Sequence, residues 1–109
     1  MKLSEFEKRF GKIKNEEETN REDVNNNGLY IQFVRNPSEM VKRIAVRQNG
    51  DAIQFIPNPS EETQLDAVKQ NEYSIRYIDH PSDEVIIYVS ERNRKVFEFY
   101  YKESWFEKT

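Results

Sequence analysis

The sequence predicts an all-α fold, a short α-solenoid-like array of four 22-residue helix-turn-helix repeats with a cap at each end. Three observations predict it. Pro37, Pro59 and Pro81 fall 22 residues apart, and each is followed by a serine and then an acid. Ala45-Val46-Arg47-Gln48-Asn49 recurs as Ala67-Val68-Lys69-Gln70-Asn71. Ile53-Gln54-Phe55-Ile56 recurs as Ile75-Arg76-Tyr77-Ile78, as Ile31-Gln32-Phe33-Val34 one period upstream and, less faithfully, as Phe97-Glu98-Phe99-Tyr100. The chain of 109 residues then reads as a single repeat domain. It comprises an N-terminal capping helix at 1–14, repeats at 15–36, 37–58, 59–80 and 81–102, and a C-terminal cap at 103–109.

In the cap, Leu3, Phe6, Phe10 and Ile13 share one helical face, and Ser4 with Glu7 forms a capping box. Residues 14–23 are the most polar stretch and fit a weak helix or a loop. Each full repeat opens with proline, which suits the first helical position because its missing N–H would be unpaired there. That register makes Asn36, Asn58 and His80 the expected N-caps, with Glu39, Glu61 and Asp83 reaching back as capping-box acids. Val41, Ile44 and Ala45, and Leu65, Ala67 and Val68, then follow helical spacing. Ala45 and Ala67 are small where a neighbouring helix has to approach closely.

The helix is expected to end at Asn27, Asn49, Asn71 and Asn93, identical in every repeat, because asparagine tolerates the left-handed conformation and can cap. A second helix of six to eight residues follows, with Ile53, Phe55 and Ile56, or Ile75, Tyr77 and Ile78, as its apolar positions. Residues 84–101 pose a conflict. Val85-Ile86-Ile87-Tyr88-Val89 and Val96-Phe97 have strand propensity and on their own read as a hairpin. They also occupy the apolar positions of the repeat, and that register favours helix. Trp105 and Phe106 are expected to close the last repeat.

Composition narrows the function classes. Charged residues make up 34% and hydrophobic residues 36%, and mean hydropathy is −0.98, a polar balance suited to a thin array with little interior. Aromatics at 13% argue against disorder. A net charge of −3 gives no basic footprint for nucleic acid. With no cysteine, thiolate metal sites and cysteine nucleophiles are excluded. The sequence contains neither a signal-peptide pattern nor a long apolar run, so a cytoplasmic protein without membrane association is expected.

The stretch Asn58-Pro59-Ser60-Glu61-Glu62, with Leu65, Ala67-Val68-Lys69-Gln70-Asn71 and then Ile75 and Ile78, resembles the short helical repeats grouped as DUF4116-like. The likeness covers roughly residues 24–90. It implies tandem two-helix units of the kind found in bacterial, bacteriophage and giant-virus proteins, and a phage or mobile-element origin. It implies no active site.

No catalytic constellation emerges from the residues. His80 is the only histidine, and its repeat position is held elsewhere by asparagine. Glu16-Glu17-Glu18 lacks the spacing of a hard-cation loop and reads as a solvated charge run. Ser38, Ser60 and Ser82 recur because they start helices. The expectation is a non-enzymatic protein-interaction module with no cofactor, metal or small-molecule substrate. Arg47 and Lys69 share a repeat position and could line a binding stripe, although Asn25 and Glu91 interrupt it. Tyr88, Tyr100, Tyr101 and Trp105 crowd the C-terminal quarter and form a candidate protein-binding or self-association surface. A phage-encoded inhibitor of a host or defence protein is the specific form of this reading. Nucleic-acid association or a spacer role in a larger assembly is the alternative.

Overall fold

The computed structural model describes residues 16–98, which alternate between α-helices and short 3₁₀ helices. With η denoting a 3₁₀ helix, the order is α1 (Glu16–Asn26), η1 (Gly28–Phe33), α2 (Glu39–Gln48), η2 (Gly50–Phe55), α3 (Glu61–Gln70), η3 (Glu72–Tyr77) and α4 (Asp83–Arg92). Residues 94–98 are helical again. The strand-like stretch is therefore α-helix from Asp83 to Arg92, and the described residues contain no strand. Both expected end caps lie outside the described residues, as do residues 99–102.

The α-helices start two residues later than the proline register suggests. Ser38, Ser60 and Ser82 are the N-caps, their hydroxyls accepting from the N–H groups of Val41, Thr63 and Val85 at 3.2, 3.2 and 3.3 Å. Asn36, Asn58 and His80 are thus not caps. Each proline precedes its helix instead of entering it. Glu39, Glu61 and Asp83 occupy the first helical position, too early for a capping box but well placed against the positive helix end. Asn36 and Asn58 instead supply the turn, both at φ 49. Asparagine accepts that left-handed backbone better than most side chains do. His80 does not share it.

The helices end at the expected asparagines, but without the expected left-handed backbone. Asn27, Asn49 and Asn71 are extended, with φ near −151 to −154. Asn49 donates its N–H to the Ala45 carbonyl at 2.9 Å, closing α2, while its Oδ1 accepts from the Asp51 N–H at 3.0 Å and opens η2. One residue thus ends one helix and begins the next. Asn27 and Asn71 do the same.

The second helices are six-residue 3₁₀ helices, in which residues i and i+3 eclipse. Gly50, Ile53 and Ile56 therefore lie along one line, as do Gly28, Ile31 and Val34, and all but the half-buried Val34 are buried. Phe55 and Tyr77, two and not three residues after the isoleucine, leave that line and face out. This corrects their expected place in the apolar stripe.

The helices form two rows. α1 to α4 pack side by side, η1 to η3 form the second row, and every element touches only its own repeat and the adjacent ones. Val41, Ala45, Val46, Ala67 and Val68 are fully enclosed between the rows. Helices of 10 residues are marginal alone, so this enclosure is what holds them. A close approach occurs at the start of η2, where a Cβ on Gly50 would lie 2.5 Å from the Ala67 carbonyl oxygen. Gly28 meets the Ala45 carbonyl in the same way, at 2.3 Å. The small alanines expected to admit a neighbour are therefore the ones met by the glycines.

Three substitutions check these assignments in urea denaturation. Gly50→Ala is expected to cost about 1–3 kcal/mol, because the obstructing atom belongs to the backbone and cannot step aside. Asn58→Gly is expected to be nearly neutral, whereas Asn58→Val should cost about 1–2 kcal/mol at a left-handed position. Equal effects of the two Asn58 variants would contradict the backbone assignment.

Candidate functional site

The outward side of the 3₁₀ row carries one aromatic per repeat. Phe33, Phe55 and Tyr77 hold the same position in η1, η2 and η3, and they are 70%, 38% and 37% exposed. Because η1 packs on η2 and η2 on η3, the three rings form a row across consecutive repeats. Tyr30 extends it, its ring edge-to-face with Phe33 at 5.4 Å, and Tyr73 is exposed on η3. Folding explains the isoleucines beside these rings, since they are enclosed. It does not explain large apolar side chains left in water at a fixed repeat position.

The row has a polar border. The guanidinium of Arg76 lies 4.6 Å from the Tyr77 ring centroid and donates from Nη2 to Tyr77 Oη at 3.0 Å. The same nitrogen donates to Asp51 Oδ2 at 3.1 Å, and Ser74 Oγ donates to Asp51 Oδ1 at 2.9 Å. Asp51 of the second repeat is thereby tied to two residues of the third, which fixes Tyr77 relative to Phe55. Gln32 and Gln54 fold back onto the carbonyls of Leu29 and Asp51 at 3.1 and 3.0 Å. A shallow groove of about 370 Å³ runs beside Tyr77, with Ile53, Ile56, Pro57, Ile78 and His80 among its walls. His80 is exposed there.

The α row holds the candidate cations. Arg47, 57% exposed at its side chain, reaches forward 19 residues to Asp66 Oδ2 at 3.1 Å, where Arg43 Nε also binds at 2.7 Å. Lys69 makes the equivalent reach, its Nζ lying 6.0 Å from the centroid of the Tyr88 ring. Arg92 lies 5.0 Å from the same ring. Tyr88 is half-buried and packs against the core. Arg47 and Lys69 thus tie each repeat to the next, while Tyr88 sits beneath two cations and is separate from the aromatic row. Tyr100, Tyr101 and Trp105 lie outside the described residues. The sequence reading missed the Phe33–Phe55–Tyr77 row because it treated these residues as core. The spacing of three in Gly-x-x-Ile-x-x-Ile was the available signal for a 3₁₀ helix.

Along the α-helix starts a second inter-repeat chain appears. Glu17 Oε1 accepts from Ser38 Oγ at 2.8 Å. Glu39 Oε1 accepts from the hydroxyls of both Ser60 and Thr63, the latter at 2.8 Å. The serine that caps a helix is thus also the donor to the acid of the preceding repeat. The Ser60 hydrogen bond is the largest influence holding the Glu39 carboxyl below its ordinary value of 4.5; burial, next in size, opposes it, and Thr63, Lys42 and Arg43 add to the lowering. Among the described residues no group of three or more acids or histidines is placed to hold a metal ion, and no buried side-chain polar atom lacks a partner. No helix in them is long and apolar enough to cross a membrane.

In comparisons with known proteins, no family model, no curated protein and no solved structure matches the chain.

Glu39 sets a direction for acid sensitivity. Its folded-state pKa lies below the unfolded one, so its contribution is complete above about pH 4.5 and fades as pH falls through the folded-state value. Glu39→Gln is expected to lower stability at pH 7 and to flatten the acid limb of the stability–pH curve. An unchanged acid limb would show that the Ser60–Thr63 contact carries no linkage.

Proposed function

We propose that the chain is a non-catalytic protein-binding module whose contact surface is the 3₁₀ side of the array. The observation that carries this reading is the exposed row of Phe33, Phe55 and Tyr77, one ring per repeat. Stacked repeats offer an extended face in preference to a deep pocket, and aromatic side chains are the anchors that dominate protein interfaces. Arg76, set over Tyr77 and bonded to its hydroxyl, adds a second side chain of the kind enriched at such anchors.

The specific form we put forward is a small phage or mobile-element protein that acts in the host cytoplasm by occupying a host or defence protein. It rests on the likeness of residues 24–90 to DUF4116-like repeats. Self-association through the C-terminal aromatics would be a second use of the same chemistry. Nucleic-acid binding is the weaker reading, because Arg43 and Arg47 are engaged by Asp66 and the net charge is −3.

The test is comparative. Wild type and a Phe33→Ala/Phe55→Ala/Tyr77→Ala variant of unchanged circular dichroism are used as baits in cross-linked cells of the native source. A partner held by the wild type is expected to lose at least about tenfold in affinity with the variant, as for hot-spot residues each worth more than about 1 kcal/mol. Equal binding by the two baits would remove the row from the interface. Steeply salt-dependent affinity for duplex DNA or for RNA would favour the nucleic-acid reading instead.

A further inference from the structure

The three junctions between repeats are not equivalent. Gly28 and Gly50 admit the next α-helix to within touching distance of the 3₁₀ helix, each against an alanine carbonyl. At the third junction the glycine position is Glu72 and the alanine position is Val89. The same junction, like that between the first and second repeats, lacks the residue types that tie the second and third. Asp66, which receives Arg43 and Arg47, corresponds to Tyr88, and Thr63, which donates to Glu39, corresponds to Val85. Ser74 and Arg76, which hold Asp51, correspond to Val96 and Glu98, and Asp51 itself corresponds to Tyr73.

Among the described residues, a hydrogen bond from the Ser82 N–H to Gln64 Oε1 at 2.9 Å and the Lys69 ammonium, 6.0 Å from the Tyr88 ring centroid, cross the third junction. The packing follows the chemistry. α4 touches η3 far less than α3 touches η2, and it lies against α3 less fully than α3 lies against α2. All these elements are similar in length, so the difference belongs to the junction and not to a shortened helix.

We propose that the joint between the third and fourth repeats is a hinge, and that α4 with residues 94–98 undocks from the first three repeats as one unit. In a quasi-linear array, local opening is set by the weakest nearest-neighbour interface, and among the described elements α4 is the helix least packed against the repeat before it. The Cβ of Glu72 is its physical origin. A side chain at that position keeps the Val89 carbonyl from the approach that Ala45 and Ala67 make to glycine. The hinge does not depend on which partner the aromatic row takes.

Native-state hydrogen exchange of the full chain tests it. The amides of α4 are expected to exchange together, about tenfold or more faster than those of α2 and α3, as a separate cooperative unit does. Glu72→Gly is expected to slow the α4 amides several-fold while leaving α2 unchanged. Glu72→Ala, which keeps the Cβ, should leave the fast exchange in place. Uniform protection from α2 through α4 would overturn the proposal. So would exchange graded progressively along α4 from its C-terminal end, which is fraying and not cooperative undocking, or equal behaviour of the two Glu72 variants.

Discussion

The interaction on which the architecture depends is the double hydrogen bond of the junction asparagine. Its main-chain N–H closes an α-helix, and its side-chain oxygen receives the N–H two residues ahead. A helix end normally leaves carbonyls, and a helix start leaves N–H groups, that must be satisfied elsewhere. Here one residue serves both sides of the corner, so two helices meet without a loop between them. The extended backbone of the asparagine sets the corner, and the asparagine carbonyl accepts from the residue three positions on, which makes the following turn a 3₁₀ helix. At Asn93 the Oδ1 accepts from Val96, three residues ahead, and the carbonyl accepts from Phe97, four ahead. The fourth unit accordingly continues as a wider helix.

Given that corner, the rest is a matter of what can be shared between neighbours. Each repeat is too short to enclose its own apolar face, so its side chains act across the boundary. Ser60 caps its own helix and donates to Glu39 of the preceding one. Gly50 starts its own 3₁₀ helix, donates its N–H to Gln70 Oε1 at 2.6 Å and makes room for the Ala67 carbonyl. Most repeated residues are explained in this way. The aromatic row is the exception, since these rings recur on the outward side and stay partly in water. Repetition alone is therefore no sign that a residue is structural, and exposure is what separates the two cases.

The period, the helix starts within two residues, the junction asparagines and the small alanines were all legible, because each is a local chemical requirement that recurs unchanged. Helicity over 83–98 was legible for the same reason, register outweighing the strand propensity of Val85 to Val89. The cap assignment failed because proline is acceptable both at the first helical position and just before the cap, and only geometry separates these. Asn58 was read as a cap when its role is a backbone angle, and both roles suit asparagine. Phe55 was read as core because an apolar cluster looks alike at periods of 3.0 and 3.6 over six residues. Arg47 and Lys69 were seen as a row, but no spacing within one helix could show that each reaches the next repeat.

The charge distribution follows from the same geometry. Glu39 bonds the cap of α3 and Glu17 the cap of α2, so the α-helix starts lie together and the helices run parallel. Side by side, parallel helices bring like ends of their macrodipoles together, which is unfavourable unless opposite charges are placed at each end. Each start carries acids, Glu16 to Glu18, Glu39, Glu61 with Glu62, and Asp83 with Glu84, and the last turns of α2, α3 and α4 carry Arg47, Lys69 and Arg92. Some of the 34% of charged residues that makes the chain look too polar for a core is thus a consequence of stacking dipoles in register. Those charges are committed along the two edges of the α row. The 3₁₀ row, whose short helices add little dipole, is left as the face on which apolar side chains can be displayed.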